Sequence, residues 1–192
     1  MRIRSGLAAV PLAVVAVIAL ACGPVGGVSG DSATLGGVLP PVTERPAGLD
    51  AYLELPDDEE VVIFPYSEVV LERKGGEFTL GVLVANTGER RQRGLMFWTG
   101  LPAGMGMIFI WEGGGERRGG FWNRNVPMDL SVAFLDKNGV VMEIVTLRAH
   151  DDEVKSPVEP YTSALEVPRG RFEELRVRVG DRVRIPPSLL GN

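Results

Sequence analysis

The densest group of chemistry-bearing side chains is Phe121-Trp122-Asn123-Arg124-Asn125, with Asp129 just beyond it. In an extended chain Phe121, Asn123 and Asn125 share one face, and Trp122 and Arg124 share the other. A Trp beside an Arg, with amides nearby, suits a sugar or a carboxylate-bearing ligand. The ring stacks, the guanidinium forks onto an anion and the amides fix hydroxyls. The plainer reading makes Phe121 and Trp122 core anchors and has the amides satisfy backbone at a sheet edge. The weight of aromatics in cores favours it. A second group is Arg93-Gly94-Leu95-Met96. Here Arg93 could pair with Asp129 across a pocket or bind an anionic ligand. The plainer and preferred reading is a helix end, with Gly94 as its cap and Leu95 and Met96 packed inside.

Catalytic and metal templates are poorly matched. There is no Gly-x-Ser-x-Gly motif. His150 is followed by Asp151-Asp152-Glu153 in a polar loop at a strand end, so a solvated surface His is expected. One Cys and one His cannot assemble a common zinc site. Met96, Met105, Met107, Met128 and Met142 form no Met-x-x-Met run and read as core filler rather than copper ligands. No metal and no cofactor are expected. The Glu112–Gly120 segment carries five glycines but no Lys-Ser/Thr pair, so it is not a phosphate loop. It reads as a long hairpin connection or a lid. Asp57-Asp58-Glu59-Glu60 lacks alternating calcium-ligand spacing and reads as a solvated patch.

These residues need elements to position them. At 192 residues and 45% hydrophobic content, the chain is long enough for one domain with a buried core. Its net charge of -5 argues against nucleic acid as a partner. Strands are expected at Phe78–Ala85, Met107–Trp111, Leu130–Leu135, Val140–Leu147, Ala164–Val167 and Arg182–Ile185. The Asn138-Gly139 pair marks a hairpin between two of them. Thr87 to Met96 predicts a short helix capped by Thr87, and Arg171 to Leu175 a single helical turn. The expected fold is mostly β (α+β), a small antiparallel barrel-like or sandwich-like domain with one or two short helices.

The N-terminus reads as an address. Arg2 and Arg4 precede an apolar run from Leu7 to Ala21, too short to span a bilayer as a helix. The only cysteine, Cys22, follows directly. The segment resembles a bacterial lipoprotein signal, although Ala19 stands where the usual Leu would be. That resemblance implies removal of residues 1–21 and a lipid on Cys22. The membrane is then a partner through this anchor, and the protein faces the periplasm or the exterior. Plain secretion is the alternative. Cleavage removes two bases, leaving 18 against 25 acids, a charge of -7. Residues 22–60 read as a flexible tether, being rich in Gly and Pro, and 61–192 as the domain.

Across about residues 78–185 the chain resembles the family called domain of unknown function 192. The carrying blocks are Val84-Ala85-Asn86-Thr87, Arg93-Gly94-Leu95-Met96, Gly104 to Phe109 and Phe121 to Asn125, followed by Ala133 to Asp136, Ala164 to Val167 with Gly170, and Val179 to Val183. Two departures stand out. The family typically has Met where Asn123 stands, and often Pro-Leu-Asp where Asp129-Leu130-Ser131 stands. The resemblance implies a compact, mostly β fold and gives no catalytic residues. The functional expectation is a non-catalytic, lipid-anchored envelope module binding a small molecule, a glycan or an envelope protein. The alternative is an extracytoplasmic hydrolase or glycan-modifying enzyme using Asp129, Arg93 and Asn125. A purely structural accessory is the third class.

Overall fold

The computed structural model describes residues 46–191. The signal at 1–21, Cys22 and the tether up to residue 45 lie outside the described residues. Seven strands form one sheet: β1 (Tyr66–Arg73), β2 (Gly76–Ala85), β3 (Met105–Ile110), β4 (Leu130–Leu135), β5 (Val141–Leu147), β6 (Ser163–Pro168) and β7 (Arg182–Arg184). Two short helices accompany them, α1 (Gly88–Arg93) and α2 (Arg171–Glu174). The strand order is β5-β4-β6-β3-β2-β1-β7.

The expected mostly-β class holds, with one correction to its antiparallel character. β2 and β3 pair in parallel, Gly81 opposite Met105 through Ala85 opposite Phe109. A parallel pair needs a crossover rather than a tight turn. Residues 86–104 supply it and carry α1. The sheet is open. Its outer strands touch at an isolated bridge between Val140 and Arg182. Strand β1 escaped the sequence reading because Glu68, Glu72 and Arg73 break up a short apolar run. The Glu112–Gly120 segment is not a hairpin connection, since β6 lies between β3 and β4.

Both faces of the sheet are covered, so the central strands are apolar on both sides. Leu83, Met107, Phe109, Leu130, Val132 and Phe134 point to one face and pack with Leu95, Trp98 and Phe121. Val82, Ile108, Ala133, Leu165 and Val167 point to the other and pack with Phe172 and Leu175 around α2. At the β4–β5 turn, the Asp136 carboxylate accepts the Asn138 and Val140 N–H groups. Gly139 sits there at φ 76, where a Cβ would run into the Val183 carbonyl oxygen.

Residues 46–60 are not tether. Leu49 is 1% exposed and belongs to the first core cluster. Leu53 bridges Trp98, and the Glu54 N–H donates to the Phe97 carbonyl. The acidic run is also not merely solvated, because Glu59 pairs with Arg93 at 2.8 Å. Two apolar residues that pack on the core, Leu49 and Leu53, outweighed the tether-like composition around them.

Candidate functional site

A narrow cleft of about 30 Å³ opens between the end of α1 and the 121–126 loop. Its floor is the sheet, through Phe109 of β3, Leu130 of β4 and Glu166 of β6. Each wall has a local cause. Thr87 caps α1 by accepting the Arg90 N–H through its hydroxyl. Gly94 ends the helix at φ 49, its N–H donating to the Arg90 carbonyl. This brings Arg91, Arg93 and Gly94 to the cleft. The loop is held down by Phe121, which meets the rings of Phe109 and Phe134 edge-on at 4.8 and 5.5 Å.

Asn123 is 1% exposed. Its amide nitrogen donates to the Met128 and Arg148 carbonyls at 2.9 and 2.8 Å. Its Oδ1 is buried and has no partner among the described residues. Arg93 shows the same pattern: one guanidinium nitrogen holds Glu59, while Nη1 is buried without a partner. Glu166 is 4% exposed. Burial pushes its carboxyl up to about 8, so it is mostly protonated at neutral pH.

The cleft thus unites Arg93, Trp122, Asn123 and Arg124, four of the six residues singled out from the sequence. Trp122 is 36% exposed and is no core anchor. The Arg124 guanidinium lies 4.2 Å from its ring centroid and pairs with Asp152 at 2.7 Å. That pairing raises the Arg124 pKa, while Arg124 lowers that of Asp152. The other two residues are elsewhere. Asn125 is exposed in a turn at φ 57, so the extended run stops before it. Asp129 does not meet Arg93. Its carboxylate accepts the Ala149 N–H at 2.9 Å and pairs with Arg169 at 3.0 Å, and both hold its pKa down. Asp129 precedes Leu130, whose side chain already faces the cleft, so alternation turns Asp129 away. His150 is exposed.

Glu166 is the residue the sequence reading passed over. Its signal was a lone carboxylate inside the apolar run Ala164-Leu165-Glu166-Val167. Two other grooves exist. One, about 480 Å³, lies between Gly113-Gly114, the 136–139 turn and the C-terminal segment. The other, about 360 Å³, lies beside Arg148 and Arg169. Neither is lined by any of the buried unpartnered polar atoms.

Sheet and cleft define a mostly-β domain with polar groups set into one apolar face. The chain belongs to the family DUF192, described as uncharacterized ACR, COG1430, whose pattern matches residues 69–185. The match starts in β1, earlier than the sequence blocks indicated. Among the solved structures similar to it are two described as follows. One, from Sinorhizobium meliloti, carries a description that proposes a transcription regulator; it is 26% identical with a TM-score of 0.60, over 65% of this chain and 97% of that one. The other, from Novosphingobium aromaticivorans, is described as a protein of unknown function; it is 26% identical with a TM-score of 0.61, over 71% and 96%. No curated protein matches the chain.

Proposed function

We propose that this chain is an exported protein, anchored by lipid at Cys22, whose β domain is a non-catalytic module binding a small polar ligand in the Arg93–Asn123–Glu166 cleft. The carrying observation is that Arg93 and Asn123, which line one cavity, each keep a buried atom without a partner among the described residues, Arg93 Nη1 and Asn123 Oδ1. A buried polar group without a partner costs about 1–3 kcal/mol. A fold tolerates that cost where water or a ligand completes the bonding. The anchor reading is supported by the position of the only cysteine directly after the apolar run. A transcription-regulating role borrowed from the Sinorhizobium description is disfavoured where it would need direct nucleic-acid contact, because acids outnumber bases 25 to 20.

The enzyme alternative needs revision in its residues. Asp129 is taken up by Arg169 and the Ala149 N–H. A cleft acid would instead be Glu166, which holds its proton at neutral pH. A thermal-shift screen of the detergent-solubilised full chain against amino acids, organic acids, sugars and cell-wall fragments tests binding. A compound should raise Tm in the wild type and fail to do so in Arg93→Ala or Asn123→Ala. Turnover of that compound would favour the enzyme reading. No shift with any compound would reject the cleft as a ligand site. Membrane fractionation of Cys22→Ala tests the anchor, with release to the soluble fraction expected.

A further inference from the structure

Resting on the reading of the cleft as a ligand site, we infer that it takes the head group of an α-amino acid. The ammonium faces Glu166 and the Asn123 Oδ1, and the carboxylate faces the Arg93 Nη1. The bonding of Asn123 sets one end. Both amide hydrogens are used on the Met128 and Arg148 carbonyls. Turning the amide over would place its oxygen against two carbonyl oxygens, so Oδ1 is the atom left without a partner, on a residue that lines the cleft. Glu166 adds a second oxygen-bearing side chain from the sheet, buried and lining the same cavity. Two such oxygens call for N–H donors. Phe109 and Phe121 line the same cavity and keep it largely apolar around those polar groups.

Arg93 sets the other end. Glu59 occupies one of its nitrogens, and the buried Nη1 calls for an acceptor oxygen. Glu59 offsets Arg93 and Asp152 offsets Arg124, whereas Arg91, which donates to the Ile110 carbonyl, lines the cleft without an ion pair among the described residues. A carboxylate at the rim meets that excess positive charge. The cavity of about 30 Å³ has room for the ammonium but not for a ring, which leaves the carboxylate at the rim. A hydroxy acid brings no positive charge to Glu166, and a neutral sugar brings charge to neither end.

The pairing has a proton signature. Beside Glu166, β3 and β4 present Met107 and Val132, and the charged groups on the cleft are Arg91 and Arg93 of α1 and Arg124 of the loop. An arriving ammonium replaces the proton on Glu166, which passes to the buffer. Calorimetric titration of the detergent-solubilised full chain at pH 7, in two buffers of different ionisation enthalpy, counts that proton. The arms are the twenty α-amino acids, a peptide displaying the same head group on a side chain, lactate, and glucose.

At least one amino acid or the peptide should bind with release of up to one proton. Glu166→Gln should weaken binding at least ~10-fold and abolish the release. Far-UV circular dichroism checks that this variant folds, and the wild-type proton count stands without it. Binding of lactate or glucose alone, lost in Asn123→Ala, overturns the inference and leaves the cleft a ligand site. Amino-acid binding without proton release overturns it too. Silence in every arm overturns the inference, and the wider thermal-shift screen then decides whether the cleft is a ligand site at all.

Discussion

Glu166 keeps its proton because the strand that carries it is buried on both faces and supplies no cation beside it. Its folded pKa, about 8, lies above the unfolded value. The folded state therefore binds more protons than the unfolded state between about pH 4.5 and pH 8. Stability from this group is full at acid pH, falls as pH rises through that window, and levels off above it. Glu166→Gln removes the dependence. Its Tm at pH 8 should exceed that of the wild type by at least about 2–4 °C, the shift that 1 kcal/mol gives a chain of this size. At pH 4 the two should melt together. Equal pH slopes in the two proteins would reject a proton-holding Glu166. Asn123 was legible as a site candidate, but its unpartnered oxygen was not. That depends on carbonyls at positions 128 and 148, which sequence spacing alone cannot place.

At the scale of elements, α1 delivers the guanidinium to the cleft, and its two ends decide where it points. The sequence disclosed both ends, because capping is local chemistry. Thr87 begins the helix and Gly94 ends it. The helix stops at Arg93, short of the expected Met96, since a positive φ at Gly94 breaks the helical run. Gly94→Ala should cost about 1–3 kcal/mol, the range for a side chain forced into a backbone region that suits glycine. It should also weaken ligand binding by displacing Arg93. Thr87→Ala should cost about 1 kcal/mol and fray the same helix from its start. Chemical denaturation measures both. A Gly94→Ala protein as stable as the wild type would show that the helix end relaxes without strain.

At the scale of the whole molecule, the segment ahead of the sheet is part of the fold. Leu49 fills the first core cluster, and Glu59 fastens the segment to Arg93. Leu49→Ala should therefore destabilise the domain by about 2–5 kcal/mol. A chain starting at residue 61 should melt well below one starting at residue 46. Equal melting points would mean that the segment packs without adding stability. This strap links the tether side of the domain directly to the cleft arginine.

The sequence by itself determined the strands β2 to β7, the two helices, the turn glycines and the family. These follow from period, capping and φ preference, all readable within a few residues. The tertiary structure alone decided the parallel pairing of β2 with β3, the packing of residues 46–60, and the partners of the charged groups. It separated Arg93 from Asp129 and put Glu166 in the cleft instead. Ion pairs and burial depend on which distant segments meet. Here those meetings follow from a strand order in which β6 lies between β3 and β4, which no local pattern encodes.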